Sequence, residues 1–349
     1  MPLTILSVAF PFAPVGPDAV GGAEQVLSAL DFRLTQAGHR SIVLASEDSV
    51  VAGTHWPVPL EKGTIGDLAK QTAWARHRHA IEDVRRHFAV DLTHLHGIDF
   101  DVYCPGEGPT LVTLHLPLDG YRRGALQTRR RDLWMHCVSS AQDRGASPSG
   151  LRLLPPVHNG VDLDALAGRH AKRDLVLFLG RICPEKGIHL AIDAAQMAGL
   201  PLIIAGQVFP YEAHQRYFEE NVAPRLGPGC RFVGALDRRR KRRFLSAARC
   251  LLLPSQVAET SSLVAMEALA CGTPVIAFRC GALPEIVSNG RTGFLVDSVK
   301  EMAEAIRAAR ELDGDLCRSE ARRRFSLEAM SAAYLDLYHG LAARSFAAE

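Results

Sequence analysis

Leu175-Val176-Leu177-Phe178-Leu179-Gly180-Arg181-Ile182-Cys183-Pro184-Glu185-Lys186-Gly187-Ile188 is the stretch that decides the architecture of this chain. Five apolar residues read as a buried strand, Gly180 ends it, Pro184 and Gly187 mark a tight turn, and Ile188 opens a helical pattern running to Met197. The same rhythm continues toward the C-terminus, with strands at 202–205, 230–233, 251–253, 275–278 and 293–296. Helices are expected between them at 211–223, 239–248 and 263–270. Toward the N-terminus the rhythm is also present: a strand at 3–10, a Gly21-Gly22 turn, then Ala23, Val26, Leu27, Leu30 and Leu34 at helical spacing. A strand at 41–45, a long charged helix within 65–88 and strand-like runs at 91–96, 111–116 and 134–140 complete that half. Alternating strands and helices predict an α/β chain whose sheets are parallel and covered by helices on both faces.

The pattern falters between 147 and 173, around Pro148, Pro155, Pro156 and Gly160. The domain boundary is expected there, giving two doubly wound Rossmann-like domains that face each other across a cleft. The length agrees, because 349 residues at roughly 100–200 per domain make two. The tail from 299 to 345 reads as helical, and Ala329, Ala332, Ala333, Leu335, Leu337 and Leu341 mark the face expected to pack.

With 40 Lys and Arg against 38 Asp and Glu, the formal charge is +2, which argues against a general nucleic-acid coat. The chain is 47% hydrophobic and 22% charged, enough to build two cores. None of its eight cysteines forms a C-x-x-C pair, so reduced thiols are expected, with no disulfide scaffold and no zinc knuckle. The apolar start has no cation ahead of Arg33 and is broken by Pro11 and Pro14, unlike an export signal. No run reaches the ~18 apolar residues of a membrane span. A soluble, cytoplasmic protein is the expectation.

Two familiar phosphate signatures are missing. No G-x-G-x-x-G follows the first strand and no G-x-x-x-x-G-K-[ST] occurs, which removes most support for a dehydrogenase or a P-loop enzyme. Three other segments suit an anion. Gly21-Gly22-Ala23-Glu24 opens a helix after the first strand, where free N–H groups could meet a phosphate; a simple chain-reversing turn fits it equally well. Arg181 and Lys186 can converge from a strand end and a helix start beside a diphosphate, or they can be surface cations paired with Glu185. In Glu259-Thr260-Ser261-Ser262-Leu263-Val264-Ala265-Met266-Glu267, small polar residues precede an apolar helix that exposes N–H donors. Glu267 could there accept bonds from ribose hydroxyls and Glu259 from a sugar; the plain alternative is a solvated Glu259 and a core Glu267 paired to some cation.

Taken in order, the strand followed by Gly21-Gly22, His158-Asn159-Gly160-Val161-Asp162, Gly180-Arg181 with Glu185-Lys186-Gly187, and the two glutamates that flank seven residues resemble glycosyltransferase family 4, retaining enzymes of the GT-B fold. The likeness covers most of the chain and is tightest between 155 and 297. It implies an acceptor-side domain at 1–156, a nucleotide-sugar donor domain at 157–330, and a last helix at 331–349 that crosses back to the first domain. It implies that Gly21 and Gly22 face phosphate, and that Arg181 and Lys186 bind the diphosphate. Glu259 would face the donor sugar, with Ser262 in the loop lining that site. Leu263 and Val264 would lend backbone N–H groups, Glu267 would hold the ribose, and His115 would sit near the reacting centre. Thr260-Ser261-Ser262 departs from the commoner family loop, so the donor sugar is not carried over.

The reaction so implied moves a sugar from a nucleoside-diphosphate sugar to an acceptor hydroxyl in a glycan, glycolipid or small molecule, keeping the anomeric configuration. A UDP-sugar is the favoured donor and GDP-mannose the next. No cofactor and no metal are expected. Closure about residues 155–162 would exclude water. A nucleotide-sugar epimerase of the same fold and a non-catalytic sugar-nucleotide binder are the alternatives. The cation runs Arg129-Arg130-Arg131 and Arg238-Arg239-Arg240-Lys241-Arg242-Arg243 lack interleaved aromatics. The longer run reads first as a solvated helix face and second as a contact with an anionic membrane, not as a nucleic-acid site.

Overall fold

The computed structural model describes residues 1–61, 65–146, 151, 153–168 and 170–346. Residues 147–150 of the expected linker and 347–349 of the expected last helix lie outside the described residues. Contacts divide the chain into two units, Met1–Asn159 with Glu328–Glu349, and Gly160–Leu327. The divisions stand three residues from those expected after 156 and after 330.

The first unit is built on six parallel strands: β1 (Thr4–Val8), β2 (Arg40–Ser46), β3 (Thr54–Val58), β4 (Leu92–Leu95), β5 (Thr110–Leu114) and β6 (Leu133–Cys137). Their order is β3-β2-β1-β4-β5-β6, so the winding reverses between β1 and β4. Near-continuous apolar strands suit a sheet covered on both faces, and Ile5, Leu6, Val8, Ile42, Leu44 and Val112 are fully buried. Sequence reading missed β3. It carries Pro57, which lacks an N–H and is tolerated because β3 is an edge strand.

The helix Leu327–Phe346 packs on this unit through Met330, Tyr334, Tyr338, Leu341 and Ala342, all buried. That stripe corrects the expected one, because Ala329, Ala332 and Ala333 are exposed. The Tyr338 hydroxyl lies 2.7 Å from His94 Nδ1, and the Tyr334 hydroxyl lies 3.2 Å from Thr113 Oγ1. His94 Nε2 and His136 Nε2 each lie 2.7 Å from the same threonine oxygen. His96 Nδ1 lies 3.0 Å from His115 Nε2, and the rings of His94 and His96 stand 4.0 Å apart.

Burial keeps this cluster neutral. Desolvation lowers His115 to about 3 and His136 to about 4. It holds His94 and His96 well below the ordinary histidine value, with neighbouring imidazoles adding to the effect. The unfolded chain protonates first, near pH 6.5. Stability is therefore complete above that pH and is lost as pH falls toward the folded values. At pH 5 each of His115 and His136 should cost ~2 kcal/mol. The melting temperature is expected to drop steeply between pH 7 and pH 5, and a flat profile there would contradict the arrangement.

The second unit repeats the plan with β7 (Val176–Leu179), β8 (Leu202–Ala205), β9 (Cys230–Phe232), β10 (Cys250–Leu253), β11 (Val275–Phe278) and β12 (Gly293–Val296). The order β12-β11-β10-β7-β8-β9 again reverses beside the first strand, between β7 and β10. Leu177, Leu251, Val275, Ala265 and Leu269 pack on one face of the sheet, and Ile188, Ile192, Ile204, Leu252 and Met302 on the other. The expected helix 211–223 is shorter. It runs as an α-helix over Glu212–Tyr217, then as a π-turn over Phe218–Val222 and a 3-10 turn over Ala223–Arg225. Pro224 cannot donate to an α-helical ladder.

Candidate functional site

In a doubly wound sheet the ends of the strands at the winding reversal leave an opening for a ligand. In the second unit that place is the carboxyl edge of β7 and β10, which pair in parallel. The segment after β7 turns sharply through the 3-10 helix Pro184–Lys186 into the helix Ile188–Ala198. Gly187 makes the turn possible. Its φ is 64°, and a Cβ there would lie 2.2 Å from the Pro254 carbonyl oxygen just past β10. Only glycine meets both conditions. The close approach brings the β7 loop against the β10 loop, where Gln256 N donates to Glu185 O at 2.8 Å.

Lys186 and Glu259 are thereby joined. Nζ donates to Glu259 Oε1 at 2.5 Å, with 21% and 11% of the two side chains exposed. Ser255 Oγ also donates to Oε1, so among the described residues both donors meet the same oxygen and Oε2 is left open. Gly281 fixes the backbone of the glutamate from behind. Its φ is 53°, and a Cβ would meet Glu259 O at 2.2 Å. Ala282 N donates to that same oxygen at 2.7 Å. Sequence reading overlooked Ser255, which stands four residues ahead of the glutamate it holds.

The helix Leu263–Ala270 begins directly after this loop, with Ser262 as its N-cap and Ser262 Oγ accepting from Ala265 N. Leu263 and Val264 hold its first two N–H groups, which an α-helix leaves without intrahelical acceptors. Capping by Ser262 fixes the direction in which they point. Glu267, one turn further on, is 7% exposed. Its Oε1 receives Lys241 Nζ at 2.5 Å.

That ion pair corrects the reading of the six-cation run as a simple solvated face. On the helix Arg238–Ala247, Lys241 lies four residues before the buried Leu245, hence on the inward side. Arg238 pairs with Asp162 at 3.1 Å. Arg242 donates to the Ala165 and Ala167 carbonyls. Arg239, Arg240 and Arg243 are exposed. The i, i+4 relation to Leu245 was the signal that separated Lys241 from its neighbours.

In the first unit Gly21 is the N-cap of the helix Gly22–Gln36. A Cβ at Gly21 would strike the Glu24 carboxylate at 1.8 Å, so the absent side chain lets the buried Glu24 fold back over the helix start. His115 follows β5, half-buried and neutral against His96. The structure thus brings Lys186, Glu259, Ser262, Leu263 and Val264 along one edge of the second unit, with Arg181 on the β7 loop and Glu267 within the helix. Gly21, Gly22 and His115 stand beyond strand ends of the first unit.

Residues 166–330, just under half of the chain, match the family model for group 1 glycosyl transferases. A D-inositol 3-phosphate glycosyltransferase from Mycobacteroides abscessus is 35% identical over 166 residues, which span 43% of this chain and 37% of that one. The chain thus spans little more than a third of the first curated relatives it matches. Glycogen synthase from Mycobacterium tuberculosis is 27% identical across 92% of this chain and 89% of that one. The crystal structure of HepE from Anabaena superposes with a TM-score of 0.75 at 20% identity, covering 96% of this chain and 99% of that one. No helix among the described residues is long and apolar enough to cross a membrane. By sequence over 166–330, and by fold over both six-stranded units, the chain is similar to glycosyltransferases of the GT-B fold.

Proposed function

We propose that this chain is a retaining glycosyltransferase of the family 4 type that moves a sugar from a UDP-sugar to an acceptor hydroxyl. The observation that carries the reading is the Lys186–Glu259 pair set beside the capped start of the helix Leu263–Ala270. It offers a cation, a carboxylate and free N–H donors along one strand edge, the combination a diphosphate and a sugar require together. HepE was solved in complex with UDP and glucose, which supports UDP as the carrier. As the glycosidic bond breaks, negative charge grows on the departing diphosphate. Arg181, Lys186 and the N–H groups of Leu263 and Val264 stabilise it, while the ring becomes oxocarbenium-like. Glu259 Oε2 accepts from hydroxyls of the donor sugar, and Glu267 accepts from the ribose. Gly21, Gly22 and His115 are assigned to the same reaction from the first unit.

A thermal-shift panel of UDP, GDP, ADP and their sugars, followed by UDP-release assays with hydroxyl acceptors, tests this. A ligand at about 100 times its Kd adds roughly 2.7 kcal/mol of stability. A shift with no nucleoside diphosphate would overturn the reading, as would an epimerised sugar formed without acceptor. Glu267→Gln should weaken UDP itself as well as the sugar donor, by about 10- to 100-fold, since a hydrogen bond to a charged group is worth ~1.5–3 kcal/mol. Calorimetry showing unchanged UDP affinity would reject the ribose assignment.

A further inference from the structure

We propose that Cys183, Glu185 and His214 form a zinc-binding site on the loop that follows β7. Their ligand atoms, one from each side chain, all lie within 4.8 Å of one another. Cys183 and Glu185 project from the turn that carries Lys186, and His214 comes from the helix Glu212–Tyr217. Cys183 is fully buried and His214 is 8% exposed, with Glu185 at the open side. His214 Nδ1 is a buried polar atom without a hydrogen-bond partner. A buried imidazole in that state is costly unless something fills the gap.

The donor set suits zinc. Thiolate, imidazole and carboxylate are its ordinary ligands, at ~2.0–2.3 Å, and three protein ligands plus one water complete a tetrahedron. Ligand atoms at those lengths around a tetrahedron stand ~3.3–3.8 Å apart, a spacing inside the 4.8 Å limit that these three atoms meet. Hard cations such as magnesium and calcium prefer all-oxygen sites and are disfavoured by the sulfur and nitrogen. Charge also balances. The ion displaces the thiol proton to solvent, and Zn²⁺ with one thiolate, one carboxylate and a neutral imidazole sums to zero. The sequence alone expected no metal, since none of its cysteines forms a C-x-x-C pair; the fold joins Glu185 to His214 across 28 intervening residues. The site stands on this cluster and does not depend on the transferase reading.

Metal-free full-length protein titrated with zinc in a calorimeter should bind one equivalent. Cobalt(II) at the same site should give near-ultraviolet thiolate-to-metal charge transfer and the intense visible bands of a four-coordinate ion. Cys183→Ser should abolish the charge-transfer band. His214→Gln should weaken zinc by about 10²-fold or more, beyond the 10–100-fold carried by outer partners of a metal site. The two substitutions lie on separate segments, so circular dichroism identifies a misfolded variant and the other then decides. Absence of the charge-transfer band in the unaltered protein overturns the site. So does a band that survives Cys183→Ser, since it would belong to another of the eight cysteines.

Discussion

Deletion of residues 328–349 is expected to leave the first unit unable to fold cooperatively. Four large side chains in that segment are buried in the full chain: Met330, Tyr334, Tyr338 and Leu341, exposed by 3%, 0%, 0% and 1%. At ~1.5–3 kcal/mol for each side chain withdrawn from water, they contribute roughly 8 kcal/mol. Whole domains are stable by only about 5–15 kcal/mol. The deletion also uncovers their apolar partners and strips His94 Nδ1 and Thr113 Oγ1 of their tyrosine hydroxyls. Loss of the first unit's melting transition, with fluorescent-dye binding to exposed apolar surface, is the expected result. A truncated chain that melts like the full one would show that the helix contributes nothing. Tyr338→Phe separates packing from hydrogen bonding. It keeps the ring and leaves His94 Nδ1 buried without its partner, at a cost of ~1–3 kcal/mol.

The residues of that helix also show what a sequence can and cannot disclose. Its helical state was legible, because alanine and leucine favour helix and no glycine or proline interrupts the run before Gly340. Its buried face was not. Ala329, Ala332 and Ala333 are apolar by type but exposed, and the inward stripe is carried by Met330, Tyr334, Tyr338 and Leu341 at steps of three and four. Tyrosine reads ambiguously until a polar partner such as His94 is in view. The strand rhythm was legible for the opposite reason: both faces of each sheet are covered, so most strands are apolar throughout. The edge strand β3 escaped because Trp56-Pro57 breaks that pattern. At the site, Gly180, Arg181, Lys186, Gly187 and the two glutamates were legible as motifs with fixed spacing. Lys241 and Ser255 were not, since each meets its glutamate only through the fold.

Arg181→Ala and Lys186→Ala are each expected to reduce turnover by about 10²–10³, the scale for losing a preorganised donor to developing negative charge. The second variant carries a complication that the geometry makes explicit. Lys186 is the partner of Glu259, and that carboxylate is largely buried, so truncating the lysine strands a charge as well as removing one. The expected melting temperature therefore falls in Lys186→Ala, whereas Arg181→Ala should melt normally. Lys186→Arg keeps the charge on a longer, planar group and should recover stability more fully than turnover, because a bidentate fork does not reproduce a point charge in a tight turn. Pairing Lys186→Ala with Glu259→Gln distinguishes the two contributions. If the lysine acted only as a counter-ion, the double variant would regain stability and turn over as fast as Glu259→Gln alone. If it stabilises the leaving diphosphate, as proposed, stability returns but the rate stays about 10²–10³ below that of Glu259→Gln alone. Full turnover in both single alanine variants, measured as UDP release under saturating donor, would remove these residues from the reaction.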